Sequence, residues 1–236
     1  MQAHRKTRIK GLLFDKDGTL FDFHATWGAW CADFIAGLAG SDHALTQQLA
    51  VVLQYDLRES AFLPNSFVIT DSMDAVIAAV HKVLPKWEYD TLYDYICEST
   101  VKTPQSPVVP LQPLLARFQQ NGLKIGVATN DNIYPAEQHL QSAGIDQVFD
   151  FIAGCDSGYG AKPEPGMLLA FCNAVDLAPG QVAMIGDSTH DLKAGRAADM
   201  VTVGVLTGMA VAEDLAPYAD VVLQNIGEIP AWLALK

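Results

Sequence analysis

Two carboxylates one residue apart, Asp15 and Asp17, follow a short apolar run, Gly11–Phe14, and lead directly into Gly18 and Thr19. Clustered acids at the end of a buried strand repel one another, so the arrangement calls for a cation or a proton-transfer task that uses both charges. A plain turn is the competing reading, since Asp, Gly and Thr all favour turns. A calcium-binding EF-hand loop is excluded. Counted from Asp15, it would need Asp or Asn at the fifth position, Gly at the sixth and Glu at the twelfth, where Thr19, Leu20 and Thr26 stand.

Two further polar clusters follow apolar runs: Thr129-Asn130-Asp131-Asn132 and Gly186-Asp187-Ser188-Thr189-His190-Asp191. Each alone could be helix capping, because these are the residue types that cap. Their recurrence after successive predicted strands points to one crevice, since ligands in parallel sheets gather at strand ends. Lys162 adds a cation. Pro163 biases it away from helix, Pro165 suits the first turn of a new helix, and Gly158 and Gly160 allow the backbone a close approach. A lysine beside a helix start and opposite several acids can serve as phosphate ligand and carboxylate partner.

The elements that must hold these residues alternate. Beyond Leu111, predicted helices at Leu111–Asn121, about 135–143 and about 165–175 alternate with predicted strands at Lys124–Thr129, Phe149–Ala153, Val182–Gly186 and Val201–Val205, with a sixth at Asp220–Leu223. This is the pattern of a parallel α/β sheet. Between Leu20 and the proline-rich stretch Thr103–Pro110 the periodicity is helical throughout. Four helices are predicted there. Asp22 or Thr26 is the expected N-cap of the first and Asp71 or Ser72 of the third, with an irregular loop over Arg58–Thr70. The prolines and the segment near Phe21–His24 make a two-stranded hinge, so the helical stretch is expected to be an inserted unit. His24, Arg58 and Ser66 are polar residues on its loops and hinge.

Asp15-Lys16-Asp17-Gly18-Thr19-Leu20, Thr129, Lys162, and Gly186-Asp187 with Asp191 together resemble, in order and in place, the four motifs of the haloacid dehalogenase-like hydrolase superfamily. The resemblance covers nearly the whole chain and is most similar to the phosphoglycolate phosphatase branch with a helical cap. It implies a Rossmann-like, doubly wound parallel sheet in a core of residues 1–21 and 108–236, and an all-helical cap domain over 22–107. It also implies Mg²⁺, held by an Asp15 carboxylate oxygen, the Asp17 main-chain carbonyl and the Asp187 carboxylate. Asp15 would be the nucleophile, forming an aspartyl-phosphate, and Asp17 the general acid and base. Thr129, Asn130 and Lys162 would bind phosphoryl oxygens. Asp191 would orient Lys162 or a metal-bound water, or simply favour its helix's first turn. The implied substrate is a small phosphorylated metabolite, with 2-phosphoglycolate the first candidate. A sugar-phosphate mutase would share these groups, and a non-catalytic phosphate-binding protein would lack one or more of them. A haloacid dehalogenase needs no acid at the position of Asp17.

Composition narrows the alternatives. Fifteen Lys and Arg against 27 Asp and Glu give a net charge of −12, which argues against a nucleic-acid partner. Half the residues are hydrophobic, ample for a full core. Cys31, Cys97, Cys155 and Cys172 are scattered, with no metal or disulfide spacing, and are expected to be reduced and buried. The basic Met1–Lys10 precedes an apolar run that breaks at Asp15, too short for a signal or a membrane span, so a cytoplasmic protein with no membrane partner is expected. Oligomeric state is not legible here.

Overall fold

The computed structural model describes residues 9–63, 66–69 and 73–235. They fall into two units, one made of the chain up to Asp22 and from Pro107 on, the other of Phe23–Ser106.

The first unit is built on β1 (Gly11–Phe14), whose four residues are all buried. It pairs in parallel with β4 (Lys124–Ala128) on one side and β6 (Val182–Gly186) on the other. With β5 (Phe151–Ala153), β7 (Val201–Val205) and β8 (Val221–Leu223) the sheet has the order β5-β4-β1-β6-β7-β8, parallel throughout. A continuous apolar strand is what a sheet buried on both faces requires. Alternation then divides its side chains between two layers. Leu12 and Phe14 join Leu111, Leu115 and Phe118 of α5 (Leu111–Gln120) and Leu140 of α6 (Ile133–Ser142). Leu13 joins Met167, Leu168 and Phe171 of α7 (Gly166–Ala174) and Ala194 of α8 (Thr189–Ala197) on the other face. The short α9 (Ala212–Leu215) and α10 (Ile229–Trp232) complete the unit.

The second unit holds α1 (Ala29–Ala39), α2 (His43–Val52), α3 (Met73–Val83) and α4 (Tyr89–Val101). Its core includes Trp30, Phe34, Ile35, Leu49, Ile77 and Leu92. Trp30 stacks on Phe34 and donates its indole N–H to Ser99 Oγ at 2.9 Å. Two expectations fail here. Neither Asp22 nor Thr26 is the N-cap of α1, because a π-helical turn, His24–Gly28, runs straight into that helix. Thr26 is buried instead and its hydroxyl accepts from the Ser106 N–H at 3.2 Å. The unit is also not all helical, since β2 (Tyr55–Asp56) and β3 (Ala61–Phe62) form a small antiparallel hairpin inside the expected loop. The caps expected at Asp71 or Ser72, with Pro64, Asn65 and Thr70, lie outside the described residues, as do residues 1–8.

Among the described residues no helix is long and apolar enough to cross a membrane. All four cysteines are free. Cys31 and Cys172 are buried as expected, but Cys97 and Cys155 are only half-buried.

Candidate active site

The strand order reverses around β1, and the polar clusters lie at the ends of β1, β4 and β6, the three central strands. Asp15 is the first residue beyond β1 and is buried. Its Oδ1 lies 2.6 Å from Lys162 Nζ, and the same ammonium meets Asp191 Oδ1 at 2.6 Å and donates to the Ala128 carbonyl at 2.8 Å. One buried lysine therefore ties together the ends of all three strands.

Asp191 makes contacts that fit both alternatives, an ion pair with Lys162 and a place in the first turn of its helix. In the first turn of α8 its Oδ2 accepts from the Ser188 N–H at 3.0 Å and from Ser188 Oγ at 2.6 Å, closing a reciprocal cap, while its Oδ1 holds Lys162. Gly186 makes this possible, because a Cβ there would collide with Asp191 Cβ. Asp187 is buried beside them, and Thr19 Oγ1 donates to its Oδ1 at 3.4 Å. Gly18, at φ +81°, and Gly208 clear its space, since a Cβ at either would overlap the Asp187 carboxylate. Thr207 Oγ1 fastens the two loops by donating to the Gly18 carbonyl at 2.6 Å.

The charges are unbalanced. Asp15, Asp187 and Asp191 can each bring an oxygen within 4.8 Å of the others, with Lys162 the cation among them. Burial pushes the Asp15 carboxyl up to about 7 against the pull of Lys162, with Asp191 and Asp17 adding to the rise. Asp187 is raised well above its usual range, first by burial and then by Asp15 and Asp191. Lys162 is raised too, because Asp15 and Asp191 outweigh the effect of burial. Buried carboxylates of this kind, hard oxygen donors carrying excess negative charge, fit a divalent cation such as Mg²⁺. Both Asp191 oxygens are taken by Lys162 and Ser188, which leaves Asp15 and Asp187 as the better-suited carboxylate donors.

The loop after β4 is more self-contained than its sequence suggests. The Thr129 N–H donates to the Ala153 carbonyl at 3.0 Å, and its hydroxyl oxygen accepts from the Asp131 N–H at 3.1 Å, keeping the O–H hydrogen to give. Asn130 bonds Lys162 twice through the main chain: Nδ2 to its carbonyl at 3.0 Å, and Oδ1 from its N–H at 2.8 Å. Its side chain thus sets the backbone of the lysine.

Sequence reasoning passed over Lys16. It has no exposed surface, and its Nζ lies 2.9 and 2.8 Å from the two Asp17 oxygens, 3.4 Å from Asp131 Oδ2 and 3.1 Å from His139 Nδ1. Burial pulls its ammonium down, but Asp17 and Asp131 outweigh this and the net shift is upward. A lysine between two acids reads as solvated. The available signal was its place at the end of a strand buried on both faces, and for His139 the spacing that puts it on the buried side of α6 with Ala136 and Leu140. Of the residues chosen on the helical stretch, His24 and Arg58 are exposed, whereas Ser66 is buried and donates to the Leu53 carbonyl at 2.9 Å.

Residues 9–199 match the haloacid dehalogenase-like hydrolase family. The chain is 27% identical over 210 residues to an N-acetylmuramic acid 6-phosphate phosphatase of Pseudomonas putida, spanning 88% of this chain and 87% of that one. It is 27% identical over 241 residues to a phosphoglycolate phosphatase of Shigella boydii serotype 4, spanning 96% and 93%. The crystal structure of a predicted phosphoglycolate phosphatase from Haemophilus somnus 129pt shares the fold, with a TM-score of 0.72 at 18% identity over 96% of this chain and 98% of that one.

Proposed function

This chain belongs to the haloacid dehalogenase-like hydrolase family and is a phosphoric monoester hydrolase within it; we propose that it is magnesium-dependent and works through an aspartyl-phosphate on Asp15. The observation that carries the reading is the buried Asp15 carboxylate held 2.6 Å from Lys162, with Asp187 and Asp191 close by.

An Asp15 oxygen attacks phosphorus, its bond to phosphorus forming as the ester P–O bond breaks. Asp17 gives its proton to the departing alkoxide. Water then attacks the phosphoryl group, Asp17 takes a proton back, and the Asp15–phosphorus bond breaks to release inorganic phosphate. Lys162 and the Thr129 hydroxyl face the phosphoryl charge. Asn130, expected to touch phosphate, is assigned to fixing the Lys162 backbone, and Asp191 to orienting its ammonium. Mg²⁺, held by Asp15, the Asp17 carbonyl and Asp187, would supply the positive charge that lets a carboxylate approach a phosphate dianion. The helical unit, as a cap, would read the organic part of the substrate.

2-Phosphoglycolate is the first candidate substrate, and relatives named for it span almost the whole chain. N-Acetylmuramic acid 6-phosphate is the second, on a relative of equal identity. The test is phosphate release from both compounds, from other sugar phosphates, from nucleotides and from 4-nitrophenyl phosphate, with Mg²⁺ or with chelator. Asp15→Asn should lower kcat on the order of 10⁴-fold while the protein stays folded. No release from any ester by the Mg²⁺-loaded protein would refute the proposal, and transfer between sugar positions with little net release would replace it with a mutase.

A further inference from the structure

The acid Asp17 does not stand alone. Lys16 Nζ sits almost equally far from both its oxygens, at 2.9 and 2.8 Å, and is itself held from two other directions. Asp131, in the loop after β4, meets it at 3.4 Å, and the Asp131 oxygen concerned is buried and accepts no hydrogen bond, so the ammonium answers it as a charge. His139, fully buried on α6, lies 3.1 Å away. An ammonium can only donate, so the His139 nitrogen facing it is placed to accept. The backbone closes the arrangement, because the Lys16 carbonyl accepts from the N–H groups of Leu20 and Phe21 at 2.9 and 3.1 Å.

We propose that Lys16 is a positioning residue for the proton transfers of Asp17, braced by Asp131 and His139. The inference rests on the reading of Asp17 as general acid and base. A carboxylate at a strand end can turn about two side-chain bonds. A cation set between its two oxygens, and fixed by partners in a second loop and on a helix, removes that freedom and holds the acid where the leaving oxygen must be reached. A solvated lysine would cost nothing to keep at this position. Burying one completely is unfavourable unless its partners need it.

The effect can be separated from a merely structural one through the leaving group. An alkoxide needs the proton from Asp17 as the P–O bond breaks, whereas 4-nitrophenolate is stable without it. Steady-state kinetics are measured for Lys16→Met with the best alkyl phosphate of the panel and with 4-nitrophenyl phosphate. The expected result is a fall in kcat/KM, which reports the step that expels the leaving group and not the later hydrolysis common to both esters, on the order of 10²-fold for the alkyl ester and under about tenfold for the aryl ester. In an Asp17→Asn background the same substitution should add less than about threefold, because the two act as one unit. Equal losses in kcat/KM on both esters, or full additivity with Asp17→Asn, would overturn the inference.

If Lys16→Met does not fold, Asp131→Asn and His139→Gln keep the lysine and loosen its bracing. Each should show the same selective loss at roughly three- to tenfold, and unselective loss or none in both overturns the proposal. Asp17→Asn alone separates the two layers of argument. If it shows no preference between the esters, the reading of Asp17 itself fails, whereas a selective Asp17→Asn beside an unselective Lys16→Met sinks only the role of Lys16.

Discussion

At the residue scale the site is a set of buried charges, each defined by its neighbours. Lys162 touches Asp15, Asp191 and the Ala128 carbonyl, so replacing it with Met would strand two carboxylates in a buried setting. Breaking such a pair costs about 3–5 kcal/mol, and urea denaturation of Lys162→Met at neutral pH should show a loss of that size together with lost turnover. Gly208 gives a cleaner perturbation, since a Cβ there would overlap the Asp187 carboxylate without removing any donor. Gly208→Ala should raise the Mg²⁺ concentration for half-maximal activity about 10–100-fold, read from a magnesium titration. An unchanged requirement would remove Asp187 from the metal site. The acids at 15, 17, 187 and 191 were legible because charge at the end of an apolar run is costly and therefore conspicuous. Lys16 was not, because between two acids it resembles an ordinary surface residue, and nothing local shows that Asp131 and His139 converge on it. The bonds of Asn130 were hidden for the opposite reason: its type suits phosphate, and nothing local shows that its side-chain amide meets the backbone of Lys162, 32 residues later.

At the element scale the strands were readable because a sheet buried on both faces demands unbroken apolar runs. β1, β6 and β7 have the limits their sequences predict, and the other three differ only at their ends. The hairpin β2–β3 and the π turn could not be read, because tertiary contacts make them. Gly28 lets the chain pass the Ser60 carbonyl, where a Cβ would come within 2.6 Å, and Tyr55 Oη donates to the Gly28 carbonyl at 2.7 Å. No periodicity records such an approach. Glycine in the central strand β4 is also decided by packing. A Cβ on Gly126 would lie 2.8 Å from the Phe171 ring and 3.1 Å from Leu13 Cδ1, so β4 and α7 meet there without room for a methyl group. Gly126→Ala should destabilise by about 1–3 kcal/mol through overpacking, measured by chemical denaturation. Phe171→Leu in the same chain should recover part of the loss, because contacting sites are not additive. Equal or greater loss in the double variant would place the strain elsewhere.

At the scale of the whole molecule the excess of acids matters most where it is buried. The chain carries 27 acidic residues against 15 basic ones, yet most of that imbalance is spread over surface where water screens it. Asp15 and Asp187, buried beside Asp191, are the pair that matters for a cation. Each has its carboxyl raised chiefly by burial, Asp15 from 3.8 to about 7. Between those two values the folded chain without a cation holds more protons than the unfolded chain, so its stability falls as pH rises through that window. A divalent cation replaces the missing protons and removes the penalty. Mg²⁺ should therefore stabilise little near pH 4 and progressively more towards pH 7. At about one hundred times its dissociation constant it should contribute about 2.7 kcal/mol, or roughly 5–10 °C in melting temperature for a chain of this size. The two units sharpen the test, because all the donors belong to the α/β unit. If calorimetry resolves separate transitions, only the transition of that unit should move, and in Asp187→Asn it should move far less. A shift that is independent of pH, or equal in Asp187→Asn, would mean that Mg²⁺ acts elsewhere on the acidic surface and that the buried cluster is held by Lys162 alone.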